Sequence, residues 1–402
     1  MIIRDVKFYI SEGEPRKRHT ESRGNIDKVP PGLSGLFTHT SGYGGGVEVD
    51  ESLIEPGAFC MAYTATEESP TYNAKIRFVT DGDFDAYADF GTDFHADDLE
   101  WKAKEFKAQI APMLLGVDAF DREYIWQRLW YGQRFFYTGR AVLDLVDRML
   151  WNLASRYACM PIYKLLGAAR ERVPAYRNIG GTTIDDLVAS AHQVKELGFK
   201  GCKDHSYRGV KGNTELAKAL REAMGDDFLL FHDPVESYTY IEAVQIGRQL
   251  EKYNYQWIEE PLQDYDITGL QKLCDSLDLP VMTLEWIGYI GGQPFQTAPY
   301  IALGAVDIVR QRGVGITGSV KQAQLAESFG IQVHGGDPHT ILACTNDPVH
   351  EAMGVFPRPP DEELDCLGTT VVEDGYMSIA WRPVRPAEPD WDQISRDAIT
   401  IV

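Results

Sequence analysis

Between Phe199 and Glu285 four short apolar runs each end on ionisable residues: FKGCKDH, FLLFHD, YQWIEE and PVMTLE. Asp233, Glu259 and Glu285 are separated by 26 residues and again by 26, room for one strand, one helix and two short connections. That beat predicts repeated βα units. Parallel strands covered by helices are buried on both faces, so they read as near-continuous apolar runs and not as alternations. VPAYRN opens the series, and further strands are expected near 199, 228, 255, 280, 305 and 331, with helical stretches such as TIDDLVASAHQVKELG and TYIEAVQIGRQLEKY between them. Polar residues at the last strand positions then lie where the strands open to solvent, the face that carries chemistry in a closed βα barrel.

Three carboxylates in one partly buried mouth repel one another unless a cation joins them. A divalent metal held by Asp233, Glu259 and Glu285 resolves the conflict, and all-oxygen ligation suits magnesium. Glu260, next to Glu259, is expected to point away. Alternation along the strand puts Lys203 and His205 on the same side as the acids and Asp204 on the other.

The rest of the chain sets bounds. Its 402 residues have room for one barrel and more. A net charge of −21 argues against nucleic acid or an acidic membrane surface, both of which demand a basic patch, and leaves a small molecule as the expected partner. Six scattered cysteines without a CxxC read as reduced residues of a cytoplasmic protein. MIIRDVKFYI is charged where a signal peptide needs its apolar core, and no run approaches a membrane span. Before the barrel, VKFYI and AKIRFVTDGDFDAYADF predict strands with a hairpin turn at Asp81-Gly82, followed by a helix from Ala96 to Leu115. A Gly-rich loop, residues 30 to 50, holds His39 and Tyr43.

The ordered set Lys203, Asp233, WIEEP with Glu259, then Glu285, together with MPIYKLLGAARERVPAY before it and VVEDGYMSI after it, resembles the mandelate racemase group of the enolase superfamily. The resemblance implies a (β/α)7β barrel over 139–366, an α+β capping domain over 1–138, and a C-terminal segment, 367–402, that packs back on the cap. It implies Mg2+-assisted removal of the proton alpha to a carboxylate, with dehydration of a sugar acid to a 2-keto-3-deoxy acid as the expected outcome and racemisation, epimerisation or cycloisomerisation as the alternative. Relatives often assemble, so a homo-oligomer is expected. Where the group commonly has Lys-x-Lys this chain has Lys-x-His, so either Lys203 or His205 is the base; neutral imidazole is competent for that task. On the other face the group uses a strand-end histidine, and IQVHGGDPH offers His334 first and His339 second. The Asp that usually supports it is replaced by RQR at Arg312, which predicts that the usual His-Asp dyad is absent; Asp307 is expected to be structural. Tyr207, Arg208 and Trp286 are candidates to read substrate hydroxyls.

Three other readings compete. Gly313 to Gly318 is a literal GxGxxG, with Asp337 about 20 residues on, as a dinucleotide site requires; it sits late among βα units that already hold three aligned acids. A metal-free glycosidase would use Glu259 and Glu285 but leaves Asp233, Lys203 and His334 unexplained. A metal-binding protein without turnover is the third.

Overall fold

The computed structural model describes residues 1–21, 63–136, 139–181, 183–285, 287, 295–311 and 315–402. Gly313, Val314, Arg312, Trp286, His39 and Tyr43 therefore lie outside the described residues.

Two sheets carry the molecule. The first is built from β1 (Ile3–Glu21), β2 (Tyr63–Thr80) and β3 (Ala86–Asp93), with β14 (Thr400–Ile401) on the outer edge of β1, in the order β14-β1-β2-β3. The Asp81-Gly82 turn joins β2 to β3 as an antiparallel hairpin, with Asp85 accepting from the Thr80 amide to close it. One face buries Phe8, Phe78 and Phe106 together with Leu143, Val146, Met149 and Leu150 of the helix Gly139–Ala158. The helix expected from Ala96 to Leu115 is two, Ala96–Gln109 and Ala111–Leu114. Pro112 lacks the amide that a continuous helix would use, so the chain restarts with the proline in a first turn.

The second sheet holds the predicted repeat. β4 (Arg172–Ile179), β5 (Gly201–Asp204), β6 (Leu229–His232), β7 (Ile258–Glu259), β8 (Val281–Thr283), β9 (Ile308–Arg310) and β10 (Gln332–His334) are neighbours in chain order and all parallel. β11 (His350–Glu351) pairs parallel with the free side of β4, and β12 (Thr369–Glu373) and β13 (Tyr376–Ala380) add an antiparallel hairpin there. The fold is α/β with a mixed sheet. Helices Ile184–Glu196 and Tyr240–Lys252 begin where predicted because Thr183 with Asp186, and Thr239 with Glu242, form reciprocal capping boxes. Their inner faces, Leu187, Ala191 and Val194 in one and Ala243, Ile246 and Leu250 in the other, join the outward residues Cys202, Leu230, Ile258, Val281 and Val309 of the strands in the largest core. β5 comes so close to β6 that a Cβ on Gly201 would sit 2.5 Å from the Leu229 carbonyl oxygen. Among the described residues no helix is long and apolar enough to cross a membrane.

Candidate active site

The inward positions of the parallel strands form two tiers. Tyr176, Phe231, Trp257, Met282, Ile308 and Val349 make a buried apolar floor, with the Phe231 and Trp257 rings 4.0 Å apart. One step further along the same strands the side chains become ionic. Lys203 Nζ lies 3.1 Å from Asp233, 2.9 Å from Glu259 and 3.0 Å from Glu351. Arg310, ending β9, lies 3.0 Å from Glu259, 2.9 Å from Glu285 and 2.6 Å from Glu351. His205 Nε2 is 3.2 Å from Asp233. Lys203 and His205 thus share a side, as alternation requires, while Asp204 turns outward to His232 Nδ1 at 2.8 Å, whose Nε2 reaches the Tyr238 hydroxyl.

Burial alone would discharge these groups; their neighbours decide otherwise. Desolvation lowers the Lys203 pKa, but Glu259, Glu351 and Asp233 outweigh it and hold the ammonium charged. Burial pushes the Asp233 carboxyl up, and His205 and Lys203 pull it well below the carboxylate range. For Glu351, Lys203 and Arg310 likewise overcome desolvation. Burial lowers the His205 pKa and Asp233 more than restores it, so the net shift is upward. Glu259 is raised because burial exceeds what Arg310 and Lys203 return. Four carboxylates facing two permanent cations leave a local charge of −2.

His334 ends β10 fully buried. Its Nε2 lies 2.9 Å from the Tyr176 hydroxyl and its Nδ1 3.3 Å from Asp347. An acid does stand beside His334, but it comes from the connection after β10 and not from the end of β9, where the usual partner is expected to be absent. His339 is elsewhere, on the short helix Pro338–Ala343, where its Nδ1 accepts from the Tyr163 amide and its ring stacks on Tyr163. Asp337, the acid a dinucleotide site would need, caps that helix and pairs with Arg148. Asp307 accepts from the Val281 amide, a structural bond. Tyr207 is buried against Tyr238, ring centroids 5.2 Å apart.

Glu260 parts from Glu259, as expected, and enters a second group. Among the described residues Glu236, Glu260 and Asp264 are the acids whose ligand atoms gather within 4.8 Å of one another; Asp233, Glu259 and Glu285 are spread around Lys203 and Arg310 instead.

Arg310, Glu351, Asp347, Tyr176, Glu236 and Asp264 escaped the sequence reading. Glu351 ends a strand of two residues, too short to leave an apolar run, and only Val349 before it signals a strand end. Arg310 was hidden by its charge, because a strand-end cation between acids reads as a loop residue.

Consecutive parallel βα units with a second, antiparallel sheet define an α/β protein whose buried charges gather at the carboxyl ends of its parallel strands. Residues 186–386, half of the chain, match the family described as enolase C-terminal domain-like, and the chain belongs to the enolase superfamily. It is 34% identical over 233 residues to the L-talarate/galactarate dehydratase of Salmonella typhimurium, covering 55% of this chain and 57% of that protein. It is 32% identical over 184 residues to an arabinonate dehydratase of Saccharolobus solfataricus, 44% of this chain and 49% of the relative. The chain thus spans about half the length of the curated relatives it matches. The solved D-glucarate dehydratase of Agrobacterium tumefaciens, complexed with magnesium, superposes with a TM-score of 0.72 at 25% identity, with both chains covered in full.

Proposed function

We propose that this chain is a magnesium-dependent lyase that takes the proton alpha to the carboxylate of an aldonic or aldaric acid and expels the β-hydroxyl, giving a 2-keto-3-deoxy acid. The observation that carries the reading is the ionic tier. Its surplus of two negative charges is what one divalent ion would balance, its donors are all carboxylate oxygens, and the buried Glu259 Oε1, though 3.0 Å from Arg310 Nε, accepts no hydrogen bond. Asp233, Glu259 and Glu285 would hold the ion. Bound there, magnesium supplies positive charge where the enediolate forms.

The remaining work belongs to side chains. Lys203, kept charged by its acids, neutralises the substrate carboxylate. His205, held against Asp233 at the rim, takes the α-proton at Nε2. His334, braced by Asp347, donates a proton to the departing hydroxyl from the opposite face, once Tyr176 yields Nε2 to it. The parallel strands are read as a closed (β/α)7β barrel over 139–366, with 1–138 as the unit that covers its mouth and 367–402 returning to that unit. A cytosolic setting agrees with free thiols at Cys159, Cys202, Cys274, Cys344 and Cys366. Support comes from relatives named as dehydratases of galactarate and arabinonate. The test is a screen of the purified protein with magnesium against aldonic and aldaric acids, following 2-keto acid formation; turnover that survives chelation, or none with any acid, would overturn the reading.

A further inference from the structure

The loops leaving β6, β7 and β8 converge on a buried group of acids that the proposed reaction does not use. Glu236 is 7% exposed, Glu260 6% and Asp264 0%, and one carboxylate oxygen from each lies within 4.8 Å of the other two. Within this residue group the Glu260 carboxylate has its Oε1 buried without a hydrogen-bond partner. A buried carboxylate left in that condition costs several kcal/mol. No Lys, Arg or His among the described residues pairs with Glu236 or Glu260, in contrast to every acid of the ionic tier.

The group is also a junction. The Glu236 amide donates to the Glu260 carbonyl at 2.7 Å, and the Asp264 amide donates to Glu236 Oε1 at 2.8 Å. Asp264 in turn accepts from the amides of Leu284 and Ile287 at 2.8 Å and from the Thr283 hydroxyl. Glu236 and Glu260 take left-handed backbone, φ 54° and 43°, which non-glycine residues adopt at a cost where surroundings enforce it. Three loops are thereby pinned to one another at their acids.

We propose that Glu236, Glu260 and Asp264 hold a second hard divalent cation, distinct from the ion assigned to Asp233, Glu259 and Glu285. Ligand atoms of an ion held at about 2.0–2.6 Å lie no more than about 5 Å apart, the spacing found here. Hard oxygen donors select Mg2+, Mn2+ or Ca2+ over softer ions. The cation joins the segments that begin at Asp233 and Glu259, and Asp264 ties it to the segment after β8 by accepting from Leu284 and Ile287, so its work is to fix the spacing of Asp233, Glu259 and Glu285.

The experiment counts Mn2+ bound per chain, by equilibrium dialysis and by loss of the free-ion electron-spin signal, in the full chain after chelator treatment. The expected counts are two in the wild type, one in Glu236→Gln and one in Glu259→Gln. Glu260→Gln serves as the duplicate should Glu236→Gln not fold, and thermal unfolding without metal reports folding in each. A wild-type count of one, lost in Glu259→Gln and unchanged in both Glu236→Gln and Glu260→Gln, overturns the second site and leaves the first assignment standing. A count of one that is lost in Glu236→Gln and kept in Glu259→Gln supports the site proposed here and overturns the first. Saturating Mn2+ should also raise the wild-type unfolding temperature more than that of Glu236→Gln, because an ion bound only by the folded state stabilises it by mass action.

Discussion

Lys203 touches three carboxylates with one nitrogen, and that contact separates the two candidate bases. A lysine gripped this way holds its proton, so in the proposed reaction it would serve as a fixed positive charge and the proton-accepting task would pass to His205. Replacing His205 with Asn should abolish both turnover and exchange of the substrate's α-proton into heavy water. Lys203→Met should abolish turnover too, with Asp233, Glu259 and Glu351 each losing a cationic neighbour and a loss of several kcal/mol in stability. Retained exchange in His205→Asn with none in a folded Lys203→Met reverses the two roles. For the opposite face, Asp347→Asn should lower kcat by about 10- to 1000-fold, scaled from the loss of a group that orients a catalytic histidine, while His334→Asn stops dehydration but spares exchange. Steady-state kinetics of His339→Asn provide the control, since His339 rests on Tyr163; a dead His339→Asn beside an active His334→Asn would move the acid to the second histidine.

What the sequence made legible at this scale were the groups that close an apolar run: Lys203, Asp233, Glu259 and Glu285 stand out because a buried strand admits few charges before its end. Asp347 and Glu351 follow no such run. Their partners, His334 in one case and Lys203 and Arg310 in the other, belong to strands distant along the chain, and nothing local marks that pairing.

At the scale of elements, the helix Gly139–Ala158 joins both halves. It shares a core with the first sheet, and its Asp147 accepts from the amide and hydroxyl of Thr317 on the helix Gly315–Ser328. A Cβ on Gly315, which has φ 73°, would stand 2.3 Å from the Asp147 carboxylate. The middle glycine of the dinucleotide-like pattern is therefore needed for close packing against this acid. Burial lifts the Asp147 pKa from 3.8 to about 6, against the pull of Thr317. A raised folded-state value means a contribution fully present below about pH 4 and lost as pH rises through about 6. The linkage amounts to about 3 kcal/mol. Denaturant unfolding at pH 4 and pH 7.5 should show Asp147→Asn losing less stability between the two than the wild type, by roughly that amount; equal pH dependence would show that the carboxyl is not protonated in the fold. Helix starts at Thr183 and Thr239 were legible because capping boxes are local in sequence. The break at Ile110 was missed because the periodicity of apolar residues runs on through it.

At the scale of the whole molecule, the helix Trp391–Asp397 is held to the first sheet by aromatic contacts. Trp391, from the helix Trp391–Asp397, packs 5.5 Å from both Tyr9 and Tyr87, with the Arg77 guanidinium 4.4 Å from its ring. Trp391→Ala should cost about 2–3 kcal/mol, read as a lower unfolding temperature with the parallel sheet's ion binding intact. An unchanged melting point would mean that β14 holds without it.

β14 has a consequence for how the protein is made. Tyr9 pairs with Ile401 and Ile10 with Thr400, so β1 is flanked by a strand made long after it. Until residues 400 and 401 are made, β1 can take β2 on one side but offers an open row of amides and carbonyls on the other, the kind of edge that recruits foreign strands. The βα repeats can meanwhile pair with their neighbours as they emerge. A nascent chain stalled after residue 380 should therefore protect the amides of β5 to β9 from hydrogen exchange while those of Phe8 and Ile10 stay open, and it is in that interval that this molecule is most exposed to aggregation.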